Sequence, residues 1–163
     1  MNIRNARTEE LGQAAQVISE AYHQYSAIIP PEHWEPYLSN LTDVGSRLDK
    51  AELIVAEEGG GILGAVTFFP KGSASEEGWP GDYSGIRILA VLPDQRGRGL
   101  GRLLTEECIR RSRALGVRYV GLHTTEFMSV AKAMYERMGF ERIPEFDFKP
   151  APHVVVMAYR LEL

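Results

Sequence analysis

The chain has 163 residues, 44% of them hydrophobic and 25% charged, with a net charge of −4. That is enough for one well-packed domain spanning 1–163, and ordinary for a soluble globule. It excludes a membrane-spanning helix, since no apolar run nears the ~20 residues required, and a disulfide framework, since Cys108 is the sole cysteine.

In chain order, residues 3–6 suit a short strand. Thr8 can cap a helix whose first turn carries Glu9 and Glu10, with Leu11, Ala14, Ala15, Ile18 and Tyr22 on its buried face. Pro30 and Pro31 should break the chain, and a second helix is expected over 37–48. Residues 53–56 read as a strand, Glu58-Gly-Gly-Gly61 as a hairpin turn and 62–69 as the returning strand. A polar connection over 70–82, ending near Trp79, is long enough to suggest function.

The apolar run 86–92 stops at Pro93, and Gly97, Gly99 and Gly101 follow at alternate positions. An amphipathic helix comes next, with Leu100, Leu103, Leu104, Cys108 and Leu115 on its stripe and Gly116 at its end. Strand, glycine-rich turn and helix make a phosphate site: glycines tolerate positive φ, and first-turn amides and the helix dipole face the anion. Residues 118–124 read as a strand. Residues 127–138 read as a helix, with Phe127, Val130, Ala131, Met134 and Met138 on one face, and 153–163 as a final buried strand.

Charge is uneven. Residues 1–80 hold five basic and twelve acidic groups, residues 81–163 thirteen and ten, and eight arginines crowd 87–118. This suits opposite fields toward an anionic and a cationic substrate. No aromatic stacking pattern accompanies the arginines, which argues against nucleic acid.

A dinucleotide fingerprint would need glycine at Arg102, and Walker's Gly-Lys-Ser/Thr is absent. Arg96-x-x-Gly99-x-Gly101, preceded by Leu89-Ala90-Val91-x-Pro93, resembles the R/Q-x-x-G-x-G/A signature of the GNAT superfamily of acetyl-CoA-dependent N-acyltransferases. Ala131-x-x-Met-Tyr135-x-x-x-Gly139-Phe140 looks like a second motif of that family, and the order β-α-α-β-β-β-α-β-α-β-β matches throughout.

The resemblance implies an α/β (α+β) GNAT fold: a central, mixed, mostly antiparallel twisted sheet of about seven strands, about four flanking helices and two splayed motif strands. It implies transfer from acetyl-CoA, as co-substrate, directly to a primary amine of a small or medium-sized acceptor. Amides over 97–102 would hold the pyrophosphate. Leu89, Ala90, Val91, Arg96, Gly97, Arg98, Gly99, Leu100, Gly101, Arg102 and Tyr135 would contact the coenzyme, whose pantetheine arm runs between 89–91 and 120–124. An amide near Leu89 would face the oxyanion, and Tyr135 would reprotonate the thiolate.

The family's glutamate base corresponds here to Gly85. Substitutes are Glu77, Asp82, His123, Glu126, Glu145 and Asp147, with Glu126 ahead because it follows a strand that should border the thioester. Met128 stands where the family often has asparagine. His33, Trp34, Tyr37, Trp79 and Tyr83 would shape the acceptor pocket, with Tyr22, Tyr25, Phe146 and Phe148 near. No metal-ligand pattern occurs. The expected partner is a small-molecule or peptide amine, without nucleic acid or membrane, and a homodimer stays open. The N-terminal residues lack a signal peptide's apolar core, and the lone cysteine suits the cytoplasm. A catalytically silent acyl-CoA-binding regulator is the alternative, supported by Gly85 alone.

Overall fold

A computed structural model describes residues 1–71, 78–151 and 154–163. The elements are β1 (Asn2–Asn5), α1 (Leu11–Tyr22), α2 (Pro31–Thr42), β2 (Glu52–Glu58), β3 (Gly61–Phe69), β4 (Tyr83–Val91) and α3 (Leu100–Ala114). They continue with β5 (Tyr119–Thr124), α4 (Ser129–Arg137), β6 (Glu141–Arg142), β7 (Phe148–Ala151) and β8 (Val154–Glu162). The strands pair in the order β1-β2-β3-β4-β5-β8-β6, with β7 on β8. Of the described ladders with a recorded register, only β4 with β5 is parallel. Four helices and a mostly antiparallel sheet are the expected architecture. The eighth strand is the two-residue β6, too short to leave an alternating pattern in sequence.

One compact unit comprises Met1–Phe68 and Ile88–Glu107. β2 is fully buried over Leu53, Ile54, Val55 and Ala56, and β3 over Ala65 and Val66. Continuous burial of this kind marks strands covered on both faces. Gly64 has a packing reason: a Cβ there would lie 2.9 Å from the Ala90 carbonyl oxygen. α1 buries Ala14, Val17, Ile18, Ala21 and Tyr22, so Val17 and Ala21 replace Leu11 and Ala15 on the expected face.

The second helix differs most from expectation. It begins at Pro31 and ends at Thr42, so His33, Trp34 and Tyr37 are helical. Pro31 occupies the first turn, where proline's missing N–H costs nothing and its fixed φ helps. Pro36 lies inside the helix, a position that ordinarily costs about 3 kcal/mol.

The other unit comprises Phe69–Arg87 and Cys108–Leu163. β4 pairs with β5 from Tyr83–Tyr119 to Ile86–Leu122, and β5 pairs with β8 along its whole length. Cys108 is fully buried, as expected. Ser112 is buried one turn later: its hydroxyl donates to the Cys108 carbonyl at 2.7 Å, so Ser84, 2.6 Å away, must donate to Ser112.

Two predicted stripes need correction. Leu103 on α3 is 40% exposed, Leu115 just past its end 45%, and Val130 on α4 82%. α3 instead buries Thr105 and Ser112, whose hydroxyls bond to carbonyls one turn back and so cost little to bury. α4 turns Tyr135 inward.

Candidate active site

In the first unit, β4 passes through Ile88, whose φ is +57° and which is buried. Among the described residues it is the only non-glycine with positive φ. A β-branched residue in that region is strained, and such strain accumulates at functional sites. Leu89, Ala90 and Val91 follow Ile88 in β4.

A 3-10 turn at Pro93–Gln95 then leads into α3. Gly97 and Gly99 have φ of +81° and +79°, a conformation that favours glycine, and a Cβ on either would meet nothing within 4 Å. Gly101 differs from expectation: it lies within α3, and among the described residues it is not one of the positive-φ glycines. Leu103 N–H donates to the Gly99 carbonyl at 3.0 Å. Among the described residues, the amides over 97–102 donate to no protein carbonyl, leaving a run of N–H groups with the helix dipole behind them.

The arginines of this loop work mainly as braces. Arg96 donates to the Ala21 carbonyl at the end of α1 at 3.0 Å. Arg98 binds Gln95 at 2.6 Å and Glu58 at 2.9 Å, which holds the Glu58 carboxyl below its ordinary range. Arg102 pairs with Glu106 at 2.7 Å. The loop is therefore shaped from outside while its backbone donors stay available. Near Arg96, aromatics from α1, the 3-10 turn after it and α2 gather: Tyr22 lies 5.7 Å from Tyr25 and 6.3 Å from Tyr37, and Trp34 lies 6.2 Å from Tyr37. Burial lifts the Tyr25 phenol above its usual value, and Arg96 pulls it the other way. His33 is exposed.

In the second unit, alternation puts Tyr83, Gly85 and Arg87 on one face of β4, beside Tyr119, Gly121 and His123 of β5. Gly85 and Gly121 face each other and form a trough without side chains. Trp79 lies in it. A Cβ on Gly121 would come within 2.5 Å of the indole, and one on Gly85 within 3.4 Å. The indole stacks on Tyr83 at 5.2 Å and meets His123 at 4.8 Å and Phe146 at 5.5 Å. Tyr83 accepts from Arg160 at 2.9 Å, and Arg160 and Arg118 both lie over the Tyr119 ring.

Gly85 thus has a physical explanation: the space a longer side chain would take holds the Trp79 indole. Trp79 and Tyr83 are buried to within 3% exposure, so they wall this region rather than present an open aromatic surface. Tyr135 is buried on α4, edge-on to Phe140 at 5.6 Å. Glu126 is 76% exposed and lies 3.8 Å from Lys132. Glu77 lies outside the described residues.

Three features had no signal in the sequence. They are the strain at Ile88, the Trp79 trough, and the buried hydroxyls of Thr124 and Thr125, which have no hydrogen-bond partner. Among the described residues no cluster of metal-ligating groups occurs, and no helix is long and apolar enough to cross a membrane.

The fold recurs in solved acetyltransferases. The paiA N-acetyltransferase of Thermoplasma acidophilum, solved with coenzyme A, shares the fold at a TM-score of 0.75 and 16% identity, over 98% of each chain. A GNAT family acetyltransferase from Brucella melitensis, solved with acetyl-CoA, superposes at a TM-score of 0.68 and 22% identity, covering 99% of this chain and 87% of that one. A mycothiol acetyltransferase of Cellulomonas flavigena is 40% identical over 58% of this chain and 28% of its own length. The chain spans less than half the length of the mycothiol acetyltransferases it matches. The profile of the acetyltransferase (GNAT) family matches residues 15–140, which include the strand, glycine turn and helix as well as the Tyr135 segment, and the chain belongs to that family.

Proposed function

We propose that the chain moves an acetyl group from acetyl-CoA directly to the primary amine of a small or medium-sized acceptor, with no covalent enzyme intermediate. The observation that carries this reading is the row of backbone N–H groups over 97–102, unbonded to protein carbonyls, at the start of α3. A pyrophosphate is the ligand such a row suits. Coenzyme-bound relatives of the same fold support acetyl-CoA as the co-substrate.

In this reading the amides over 97–102 hold the pyrophosphate, and Leu89, Ala90 and Val91 line the acyl arm. An amide near Leu89, next to the positive-φ Ile88, would meet the oxyanion that forms as the amine attacks, the kind of preset donor that accounts for much of acyl-transfer catalysis. Tyr135 returns a proton to the departing thiolate. Its buried, edge-packed ring keeps the hydroxyl in one place. An acceptor related to mycothiol belongs among the candidates, given the relatives' name.

The test is acetyl-CoA affinity by calorimetry, followed by thioester loss against a panel of primary amines. Binding with turnover of at least one amine is the expected result. Failure to bind acetyl-CoA removes the reading. Binding without turnover of any amine favours the silent regulator.

A further inference from the structure

We propose that the buried hydroxyls of Thr124 and Thr125 form a hydrogen-bonding subsite for a secondary amide of the coenzyme's arm. This subsite rests on the acetyl-transfer reading above.

Thr124 and Thr125 are 3% and 6% exposed, and neither hydroxyl has a hydrogen-bond partner. Among the described residues one other buried side-chain polar atom lacks a partner, Arg4 Nε. That guanidinium still binds Glu10 through its two other nitrogens. Other buried hydroxyls are engaged: Thr105 donates to the Gly101 carbonyl at 2.8 Å, and Ser84 and Ser112 lie 2.6 Å apart. Burying a hydroxyl without a partner costs free energy, and valine would fill much the same volume without that cost. Packing alone does not explain two such residues in succession. A ligand that completes their hydrogen bonds does.

Their place in the fold suits a ligand. Thr124 is the last residue of β5, and Thr125 opens the turn into α4. The parallel β4–β5 ladder runs to Ile86–Leu122, so both threonines lie beyond its carboxyl end. Ligands of open α/β sheets bind outside the carboxyl ends of parallel strands. β8 holds Thr124 opposite Met157, and the Met128 N–H donates to the Thr125 carbonyl at 3.1 Å, so the backbone on either side is fixed. β5, β8 and α4 belong to the same compact unit as the two threonines.

The chemistry selects an amide. Each hydroxyl offers one donor and two acceptor lone pairs, so a pair can meet both the N–H and the C=O of one amide group. Glu126, next in sequence, is 76% exposed and lies 3.8 Å from Lys132, so neither threonine is paired with a charge. A neutral group is therefore favoured over a phosphate or an ammonium, whose burial needs a compensating charge. The arm of coenzyme A carries two secondary amides whichever acceptor is used, whereas an amine acceptor need carry none.

The experiment compares wild type with Thr124→Val, Thr125→Val, the double valine variant, Thr124→Ser and Thr125→Ser. Calorimetry reads acetyl-CoA affinity, and thermal denaturation without ligand reads the fold. Each valine should weaken acetyl-CoA binding by about 3–10-fold, and the two together by about 10–100-fold. Without ligand the valine variants should melt at the wild-type temperature or about 2–4 °C above it, because an unpaired buried hydroxyl has gone. Each serine keeps the oxygen and should bind acetyl-CoA as wild type does. Unchanged affinity in the double valine variant overturns the subsite. So does a loss that serine shares, or one accompanied by a lower unliganded melting temperature, since either marks a packing role. A change confined to the KM of an amine acceptor, with acetyl-CoA affinity intact, also overturns it and assigns the hydroxyls to the other substrate. If wild type itself binds no acetyl-CoA, the acetyl-transfer reading has failed and the subsite falls with it.

Discussion

Gly85 and Gly121 look alike in sequence, as single glycines in apolar strands, but the structure separates them. A methyl group on Gly121 would sit 2.5–2.8 Å from three indole carbons of Trp79, while one on Gly85 meets its nearest neighbour at 3.4 Å. Gly121→Ala should therefore destabilise by about 1–3 kcal/mol, the usual cost of overpacking. Gly85→Ala should stay within about 0.5 kcal/mol of wild type, as ordinary contacts allow. Chemical denaturation of both variants measures this, and equal stabilities would show that Trp79 does not lie in the trough. Tyr135→Phe keeps the ring against Phe140 and removes only the hydroxyl. Single-turnover transfer at saturating acetyl-CoA should slow by roughly 10–100-fold, the low end for a lost general acid because a thiolate leaves fairly well unaided. A wild-type rate would make Tyr135 a packing residue. At this scale the sequence shows which types stand in the motifs, but not what fills the space beside them. Trp79 reaches Gly121 across 42 positions of chain, and no local pattern encodes that contact.

Elements were legible where local rules decide them and less so where two rules compete. The strand, turn and helix over 83–114 follow from an apolar run, Pro93 and the glycines. At α2, proline as a helix breaker and proline as a first-turn residue predict opposite boundaries, and the second prevails at Pro31. The entry to α1 shows a contact that sequence spacing hides. Glu10 accepts two hydrogen bonds from Arg4, at 2.7 and 2.8 Å, and one from the Arg7 amide at 2.8 Å. The Arg4 bonds first, then the Arg7 amide, hold its carboxyl at about 2 against an ordinary 4.5. Because the folded value is depressed, the stabilisation is complete above pH 4.5 and disappears as pH falls toward 2. Glu10→Gln should lower thermal stability at pH 7 and make the melting temperature less sensitive to acid in that window. A variant whose acid profile superposes on wild type would show that the pair contributes nothing to α1.

At the scale of the whole molecule, part of the uneven charge is compensated locally among the described residues. Arg98, Arg102, Arg118 and Arg142 pair with Glu58, Glu106, Glu162 and Asp147. On the acetyl-transfer reading, what should distinguish the liganded protein is the set of backbone donors over 97–102, which among the described residues donate to no protein carbonyl. A ligand that binds only the folded chain stabilises it by about 2.7 kcal/mol at a hundredfold excess over Kd. For a chain of this size that raises Tm by roughly 5–10 °C. Gly99→Val tests the link between loop conformation and this gain. Gly99 sits at φ +79° with open space around it, so valine meets no protein atom but must adopt a left-handed backbone. The unliganded variant should lose about 1–2 kcal/mol, a cost the rest of the fold can absorb. It should also place a branched side chain beside the donors and lose most of the shift that acetyl-CoA gives wild type. Differential scanning calorimetry, with and without acetyl-CoA, reads both effects in one experiment. A Gly99→Val protein that melts lower unliganded yet keeps the full ligand shift would show that the coenzyme is held elsewhere, and the amides over 97–102 would lose their assigned role.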